Sequence, residues 1–146
     1  MSVEQLSVGD LAPDFTLKDQ HGQDVSLATA RADRSVLVVF YPFAFSGICG
    51  GELSQIRDDP ATFDNERVRV LTVSCDPAYT LRAWAEAEQY TFPLLSDFWP
   101  HGAVAQAYGV FNDVAGIANR GTFVIDKAGL ILTNNHVVEN SNKIHV

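Results

Sequence analysis

Two periods of hydrophobic residues alternate along the chain. The runs "SVLVVFY" (residues 35–41) and "RVRVLTVS" (residues 67–74) are continuous and rich in β-branched side chains, as is typical of strands covered on both faces. The segment "PAYTLRAWAEAEQY", which opens at Pro77, instead repeats its apolar positions Leu81, Trp84 and Ala85 at helical spacing. These patterns therefore predict two buried strands and, after the second one, a long helix.

Shorter elements fill the rest of the chain. Helices are predicted from Cys49 to about Asp58 and over "GAVAQAYGV", which ends at Gly109, and "TFPLLSD" is predicted to be a short strand. Hairpins are predicted over "FTLKDQHGQDVSL", with its turn near His21 and Gly22, and over "GTFVIDKAGLIL", with its turn at residues 127–129. Strands that alternate with helices indicate an α/β fold with a mixed sheet and crossover helices. No repeat or linker divides residues 1–146, so we expect a single domain.

Composition narrows the possible functions. Of the 146 residues, 47% are hydrophobic and 19% are charged, and the net charge is −8 with the few basic residues scattered. This balance disfavours binding to nucleic acid or to an anionic membrane surface. The first residues show neither a secretory signal nor a run of the ~20 apolar residues that span a bilayer, so we expect a cytoplasmic protein. In that compartment two cysteines argue against a structural disulfide framework.

One of the two cysteines, Cys49, lies where the first buried strand gives way to a helix. Ligand sites of α/β folds form beyond the carboxyl ends of strands, and Ser46 is suited to cap the helix. The first turn of a helix lowers the pKa of a thiol and so favours the reactive thiolate. Gly50 and Gly51 are unusual so early in a helix and would allow a backbone or small ligand to approach. The alternative from these features alone is a buried core cysteine beside a turn.

The residues around Cys49 resemble a known motif. Pro42-x-x-x-Ser46-x-x-Cys49 is similar to the Pro-x-x-x-Thr/Ser-x-x-Cys motif of the peroxiredoxins. The segments "APDFTLKDQHG", "FPLLSDFWPHGAVAQAYGVF" and "NRGTFVID" also resemble that family, in particular its one-cysteine AhpE-like group from actinobacteria. The resemblance covers about residues 8–131 and implies a thioredoxin-like fold with an N-terminal β-hairpin.

The resemblance implies a role for each motif residue. Cys49 would be the nucleophile that attacks a peroxide oxygen and becomes a sulfenic acid. Ser46 would hydrogen-bond the thiolate and the peroxide, and Arg120 would place a fixed positive charge beside the sulfur. Pro42 would limit water access, and Glu52 would orient Arg120. Taken singly, Pro42 could simply end a strand, and Ser46 could be only a helix cap. Arg120 could be a solvated loop charge, and Glu52 could be a surface helix residue.

The remaining candidates are weaker. Cys75 follows the second buried strand and could resolve the sulfenic acid only if its Cα comes within roughly 7 Å of that of Cys49. We interpret Cys75 as a bystander, so an outside thiol would reduce the enzyme. The resemblance suggests mycothiol with a mycoredoxin-type protein, or a thioredoxin. The four histidines (His21, His101, His136 and His145) lack metal-ligand spacing, so neither a metal nor a cofactor is expected.

The resemblance also implies a homodimer, with interface contributions from the loop before Cys49 and from "SDFWP". Aromatic residues cluster near these segments, and we expect most to be core and some to be exposed at the rim of the site. After about residue 131 the sequence, "TNNHVVENSNKIHV", departs from the family, so this end is expected to be atypical or truncated. "HVVE" could still form a strand.

The sequence thus predicts a thiol-dependent peroxidase acting on hydrogen peroxide, organic hydroperoxides or peroxynitrite. A thioredoxin-like disulfide oxidoreductase is an alternative, although the chain has no Cys-x-x-Cys. A second alternative is a non-catalytic redox sensor or binding protein that uses the same thiol. It would oxidise at Cys49 but turn over poorly with any thiol.

Overall fold

The computed structural model describes residues 6–136, and within this range the side chains of all residues except 48, 49 and 136. The strands in this range are β1 Thr16–Lys18, β2 Asp24–Ser26, β3 Ser35–Phe40, β4 Val68–Ser74, β5 Leu94–Ser96, β6 Phe111–Asn112, β7 Ile117–Ala118, β8 Gly121–Ile125 and β9 Ile131–His136. The helices are α1 Leu27–Ala30, α2 Gly47–Asp58, α3 Pro60–Phe63, α4 Ala78–Glu88 and α5 Ala103–Ala107.

Seven strands form one mixed sheet, in the order β2-β1-β5-β4-β3-β8-β9. Strands β3, β4 and β5 are parallel neighbours, and the connections between them carry α2 with α3 and then α4. The other pairings in this sheet are antiparallel. The predicted α/β fold with a mixed sheet and an N-terminal hairpin is therefore confirmed.

Strand β3 lies inside the sheet, between β4 and β8, and supplies core residues to both faces. Its residues Val36, Val38 and Phe40 pack in one cluster with Phe123 and Tyr108. Its intervening residue Val39 and the following Tyr41 pack in a second cluster under α2 and α4. Because side chains alternate across a strand, a continuous apolar run is what a strand buried on both faces requires.

Four short elements were not predicted. Helix α1 begins directly after β2, where Ser26 Oγ accepts a hydrogen bond from the Thr29 N–H, and α3 begins at Pro60. Strands β6 and β7 form a separate two-stranded hairpin. Each of these elements has two to four residues. Such segments are too short to show a hydrophobic period.

The last described strand continues further than the apolar pattern does. Strand β9 pairs with β8 through Thr133, Asn134 and Asn135, and Asn134 also donates to the carbonyl of Leu6. Of the predicted "HVVE" strand only His136 falls in β9, and residues 137–139 lie outside the described residues, as does His145. Within residues 6–136, no helix has the length and hydrophobicity needed to cross a bilayer.

Candidate active site

The candidate site lies at the carboxyl ends of the parallel strands. Strand β3 ends at Phe40, a six-residue connection follows, and α2 begins at Gly47, so residue 49 lies in the first helical turn as predicted. The backbone N–H groups of a first helical turn have no partners within the helix and point toward its N-terminal end. Any anionic group held there is stabilised by these N–H groups and by the helix dipole.

Residues 42–46 of the connection between β3 and α2, here called the 42–46 loop, include a strained residue. The Tyr41 N–H still pairs with the Val73 carbonyl at 3.1 Å, and pairing stops at Pro42, which has no N–H to donate. Phe45 has a φ of 66°, which is unfavourable for a residue with a Cβ. Its ring lies 6.0 Å from that of Trp84, so an aromatic contact accompanies the strained residue.

Ser46 caps α2 through its backbone rather than its side chain. Its φ and ψ of −78° and 136° are extended, and its carbonyl accepts the Gly50 N–H at 2.8 Å. Ser46 is therefore the N-cap residue of α2, as predicted, although its hydroxyl makes no capping hydrogen bond. The half-buried hydroxyl therefore need not be shared with the helix when a ligand approaches.

The structure brings Arg120 and Glu52 together. Arg120 Nη1 lies 3.8 Å from Glu52 Oε2, and their side chains are 33% and 44% exposed. A pair at this distance and exposure contributes little to stability, on the order of 0–1 kcal/mol. Glu52 follows residue 49 by three positions, which places the two on neighbouring turns of one helix face. The pair thus ties Arg120 to α2 at the residue three positions after Cys49.

Strand register explains why Arg120 arrives at this point. Strand β8 runs antiparallel to β3, and Gly121 pairs with Phe40. Arg120 directly precedes β8, so it lies beside the carboxyl end of β3, next to the start of the 42–46 loop. The half-buried Pro42 lies in that loop, so the register gathers Pro42, Ser46, Glu52 and Arg120 at one end of the sheet.

The two glycines that follow Cys49 differ in their surroundings. A Cβ on Gly50 would lie 3.9 Å from Trp84 Cζ2, an ordinary van der Waals distance, and Gly51 has open space around it. The Tyr90 hydroxyl donates to the Gly50 carbonyl at 3.2 Å. The expected close approach of another backbone is thus not observed, and an indole and a phenol pack there instead.

Cys75 is buried just beyond the end of β4, 5% exposed. Its burial, reinforced by the nearby carboxylates of Asp97 and Asp76, raises the pKa of its thiol to about 12, while the Ala118 backbone N–H acts in the opposite direction. At neutral pH this thiol is protonated, and the thiol form is a poor nucleophile. Its environment is that of a structural cysteine, as the sequence interpretation proposed.

Two acidic residues beyond strand ends escaped the sequence reasoning. Asp97, buried after β5, accepts the N–H groups of Val104 and Ala105 at 3.1 and 2.8 Å and so fixes the start of α5. Its burial raises the pKa of its carboxyl, although those two N–H bonds lower it. Asp76, after β4, accepts the Ala44 N–H of the 42–46 loop at 2.8 Å. The only signal in the sequence is an aspartate one or two residues beyond each strand, which also fits a turn.

Most of the aromatic residues near the site are exposed, so the expectation that most of them belong to the core is wrong. Phe40 and Tyr41 are buried, whereas Phe43, Phe45, Phe98 and Trp99 are exposed. His21 lies in the β1–β2 turn, as predicted. His101 lies in a loop, with its ring nitrogens 3.1 Å from the Phe98 carbonyl and 2.7 Å from the Gly116 carbonyl.

Comparison with known proteins places these features in a family. The model of the AhpC/TSA family matches residues 8–133. Alkyl hydroperoxide reductase E of Mycobacterium tuberculosis is 58% identical over 126 residues, which cover 86% of this chain and 82% of that protein. A putative peroxiredoxin of the same organism is 37% identical over 142 residues, covering 92% of this chain and 88% of the relative.

Solved structures agree with this assignment. Peroxidoxin BcpB from Mycobacterium tuberculosis superposes with a TM-score of 0.84 at 32% identity, covering 90% of this chain and 86% of that chain. A 2-Cys peroxiredoxin from Plasmodium vivax, at a TM-score of 0.80 and 24% identity, has the same fold. The predicted thioredoxin-like fold and the predicted AhpE-like resemblance are both confirmed. The chain belongs to the AhpC/TSA family of peroxiredoxins, and it is a thiol-dependent peroxidase.

Proposed function

We propose that the peroxidase reaction takes place at Cys49, with Ser46, Arg120, Pro42 and Glu52 as its active-site residues. The observation that carries this assignment is the β3–β8 register, which sets Arg120 beside the start of the 42–46 loop and within 3.8 Å of Glu52 on α2. An arginine, a hydroxyl that makes no capping bond and a helix N-terminus are then brought to the same end of α2, the arrangement that a thiolate nucleophile requires.

The reaction follows from these groups. The Cys49 thiolate attacks the terminal oxygen of a hydroperoxide, so an S–O bond forms as the O–O bond breaks, and sulfur is oxidised by two electrons to a sulfenic acid. The departing alkoxide or hydroxide takes a proton and leaves as alcohol or water. Arg120 stabilises the negative charge on the departing oxygen, and the Ser46 hydroxyl hydrogen-bonds the peroxide. Pro42 limits water access, and Glu52 holds the guanidinium in place.

The sulfenic acid would then be reduced by a thiol from outside the chain. Cys75 is buried and protonated at neutral pH, which disfavours it as the resolving thiol. One external thiol condenses with the sulfenic acid to a mixed disulfide and water, and a second releases Cys49. Mycothiol with a mycoredoxin-type protein, or a thioredoxin, would supply these thiols. Hydrogen peroxide, organic hydroperoxides and peroxynitrite all remain candidate oxidants.

The same proposal extends to assembly and location. The exposed aromatic side chains Phe43, Phe45, Phe98 and Trp99 lie in the two segments expected to form a dimer interface, which favours a homodimer. A second copy of the chain would bury these residues. The acidic composition is compatible with a cytoplasmic enzyme that binds neither nucleic acid nor anionic membrane.

The test is the intact mass of the reduced protein after one equivalent of hydrogen peroxide, with a sulfenic-acid trap present. We expect one adduct that maps to Cys49 and is absent from a Cys49→Ser variant. Loss of two hydrogens without an adduct, with no link between chains, would instead mean that Cys75 resolves Cys49. An unchanged mass would exclude Cys49 as the peroxidatic residue.

Turnover separates the peroxidase from the alternatives. With excess peroxide and a low-molecular-weight thiol, a peroxidase consumes many equivalents per chain, whereas a redox sensor stops after one. A thioredoxin-like oxidoreductase would reduce insulin disulfides, and we expect this chain not to do so. We also expect Cys75→Ser to turn over like the unmodified chain, because its thiol takes no part in the cycle.

A further inference from the structure

Asp76 connects three strand ends at the candidate active site. Its Oδ2 accepts hydrogen bonds from the Ala44 N–H at 2.8 Å and from the Ser74 hydroxyl at 2.7 Å. Its own N–H donates to Ser74 Oγ at 3.4 Å, and its carbonyl accepts the Ser96 hydroxyl at 2.6 Å. Asp76 is therefore fixed to the ends of β4 and β5 and reaches from them to the loop that follows β3.

The 42–46 loop has few other polar attachments. Among the hydrogen bonds between residues 6–136, the Ala44 N–H bond to Asp76 is the one that ties the backbone of residues 42–45 to the rest of the sheet. Ala44 is buried between the exposed Phe43 and Phe45, so its N–H has little access to water. A buried N–H that loses its acceptor is costly, which makes this single bond a strong positional constraint.

Strain in the loop makes such a constraint necessary. Phe45 has a positive φ of 66°, next to the residue that Asp76 holds. A strained backbone persists only where its surroundings fix it, and strained residues concentrate at functional sites. The Asp76 bond to Ala44 and the contact of Phe45 with Trp84 are the observed contacts that fix it.

We infer that Asp76 is a positioning residue for the peroxidase reaction. Ala44 lies two residues after Pro42 and two before Ser46, so a shift of its backbone moves both. The carboxylate sets where the shielding proline and the peroxide-binding hydroxyl stand, without contacting the substrate. This inference rests on the proposed active site, because it assigns to Asp76 control of the positions of two of that site's residues.

The test compares two reactions of the same thiol. The rate constant for oxidation by hydrogen peroxide depends on how the loop presents Pro42 and Ser46, whereas alkylation by iodoacetamide requires only an accessible thiolate. We expect Asp76→Ala to lower the peroxide rate constant by on the order of 10–100-fold, as small misplacements of catalytic groups do. The alkylation rate at Cys49, measured by mass spectrometry, should change less than about twofold.

Three further variants sharpen the result. Asp76→Asn keeps one oxygen in the same place for the Ala44 N–H, so it should restore most of the peroxide rate. Asp76→Glu keeps the charge but moves the carboxylate by one methylene, so this variant should react slowly with peroxide. It replaces the alanine variant in the test if that variant does not fold. Asp113→Ala, at an exposed turn residue, is the matched control and should react like the unmodified chain.

The outcomes separate the inference from the proposed site. A peroxide rate within about twofold of the unmodified chain for both the alanine and glutamate variants would overturn the role of Asp76 alone. A parallel fall of both rates would also overturn it, since that indicates general damage. If the unmodified chain alkylates at Cys49 but does not react with peroxide, the proposed active site itself is wrong.

Discussion

Cys75 is a residue whose chemistry is decided by burial. It lies beyond the end of β4, and desolvation is the main reason that the pKa of its thiol rises to about 12. At pH 8 its thiolate fraction is then about three orders of magnitude below that of an ordinary exposed thiol. In a Cys49→Ser variant we therefore expect iodoacetamide to modify Cys75 at least about a hundred times more slowly than glutathione, measured by intact mass.

The pH dependence of that reaction gives its control. Because ionisation is shifted upward, the rate should keep rising with pH through and beyond pH 9, where an exposed thiol levels off. In denaturant the same variant should react at the rate of a free thiol. Rapid modification of the folded variant at pH 8 would contradict the burial of Cys75 and reopen its role as a resolving thiol.

Single residues also show which contacts a sequence can reveal. Pro42, Ser46, Glu52 and Arg120 were identified because the spacing of Pro42, Ser46 and Cys49, and the position of Arg120 before a strand, resemble a known motif. Asp76 was missed because its partner, the Ala44 N–H, is 32 positions away and is a backbone group that every non-proline residue has. A turn aspartate and a loop anchor look the same in sequence.

Helix α2 is anchored by a residue from outside it. The Tyr90 hydroxyl donates to the Gly50 carbonyl at 3.2 Å and lies 3.1 Å from Ser54 Oγ, so it bridges successive turns directly after Cys49. We expect Tyr90→Phe to lower the free energy of unfolding by about 1 kcal/mol, the net contribution of such a hydrogen bond. Amide hydrogen exchange in residues 50–56 should become faster, since local opening of α2 costs less.

Tyr79→Phe is the matched control for this prediction. Its side chain is 86% exposed on α4, and the same hydroxyl is removed. It should leave both the urea midpoint and the exchange of α2 unchanged. If Tyr90→Phe lowered global stability without faster exchange in α2, the phenol would belong to the core packing around Trp84, 5.2 Å from its ring, and not to an anchor of the helix.

Elements differ in how far sequence pattern predicts them. Strand β3 and helix α4 were located within two residues because each has a long run with a single period, ending at Phe40 and at Glu88. Helix α1, in contrast, has four residues and depends on one side-chain cap from Ser26. Strand β9 continues to His136 through asparagines because β8 offers it backbone partners, which no side-chain pattern reports.

At the scale of the whole molecule, the order of strands is what the sequence pattern could not supply. Strand β1 pairs with β5 through Lys18 and Ser96, although β3 and β4 lie between them along the chain. Strand β3 and its antiparallel neighbour β8 are also far apart along the chain, and their pairing places Arg120 at the site. Periodicity locates elements, but such non-local pairings are set by how the whole core packs, which the family resemblance supplied.

The proposed homodimer gives the molecule-scale prediction. Trp99 is 80% exposed, and a large exposed aromatic side chain beside a functional site is a favoured anchor of an interface. Sedimentation velocity of the unmodified chain should show a species of twice the 16.0 kDa chain mass. Trp99→Glu should shift it to the monomer at micromolar concentration, because the interface would have to bury an unpaired charge.

A second variant distinguishes the face that is used. Leu132 is 49% exposed on β9, which is an edge strand of the sheet. The variant Leu132→Glu adds the same charge as Trp99→Glu, but at this edge. We expect Leu132→Glu to remain dimeric. If this variant dissociated and Trp99→Glu did not, the copies would meet along the β9 edge instead. A monomer for the unmodified chain at every concentration would show that Trp99 and its aromatic neighbours stay exposed, so the active site would be complete within one chain.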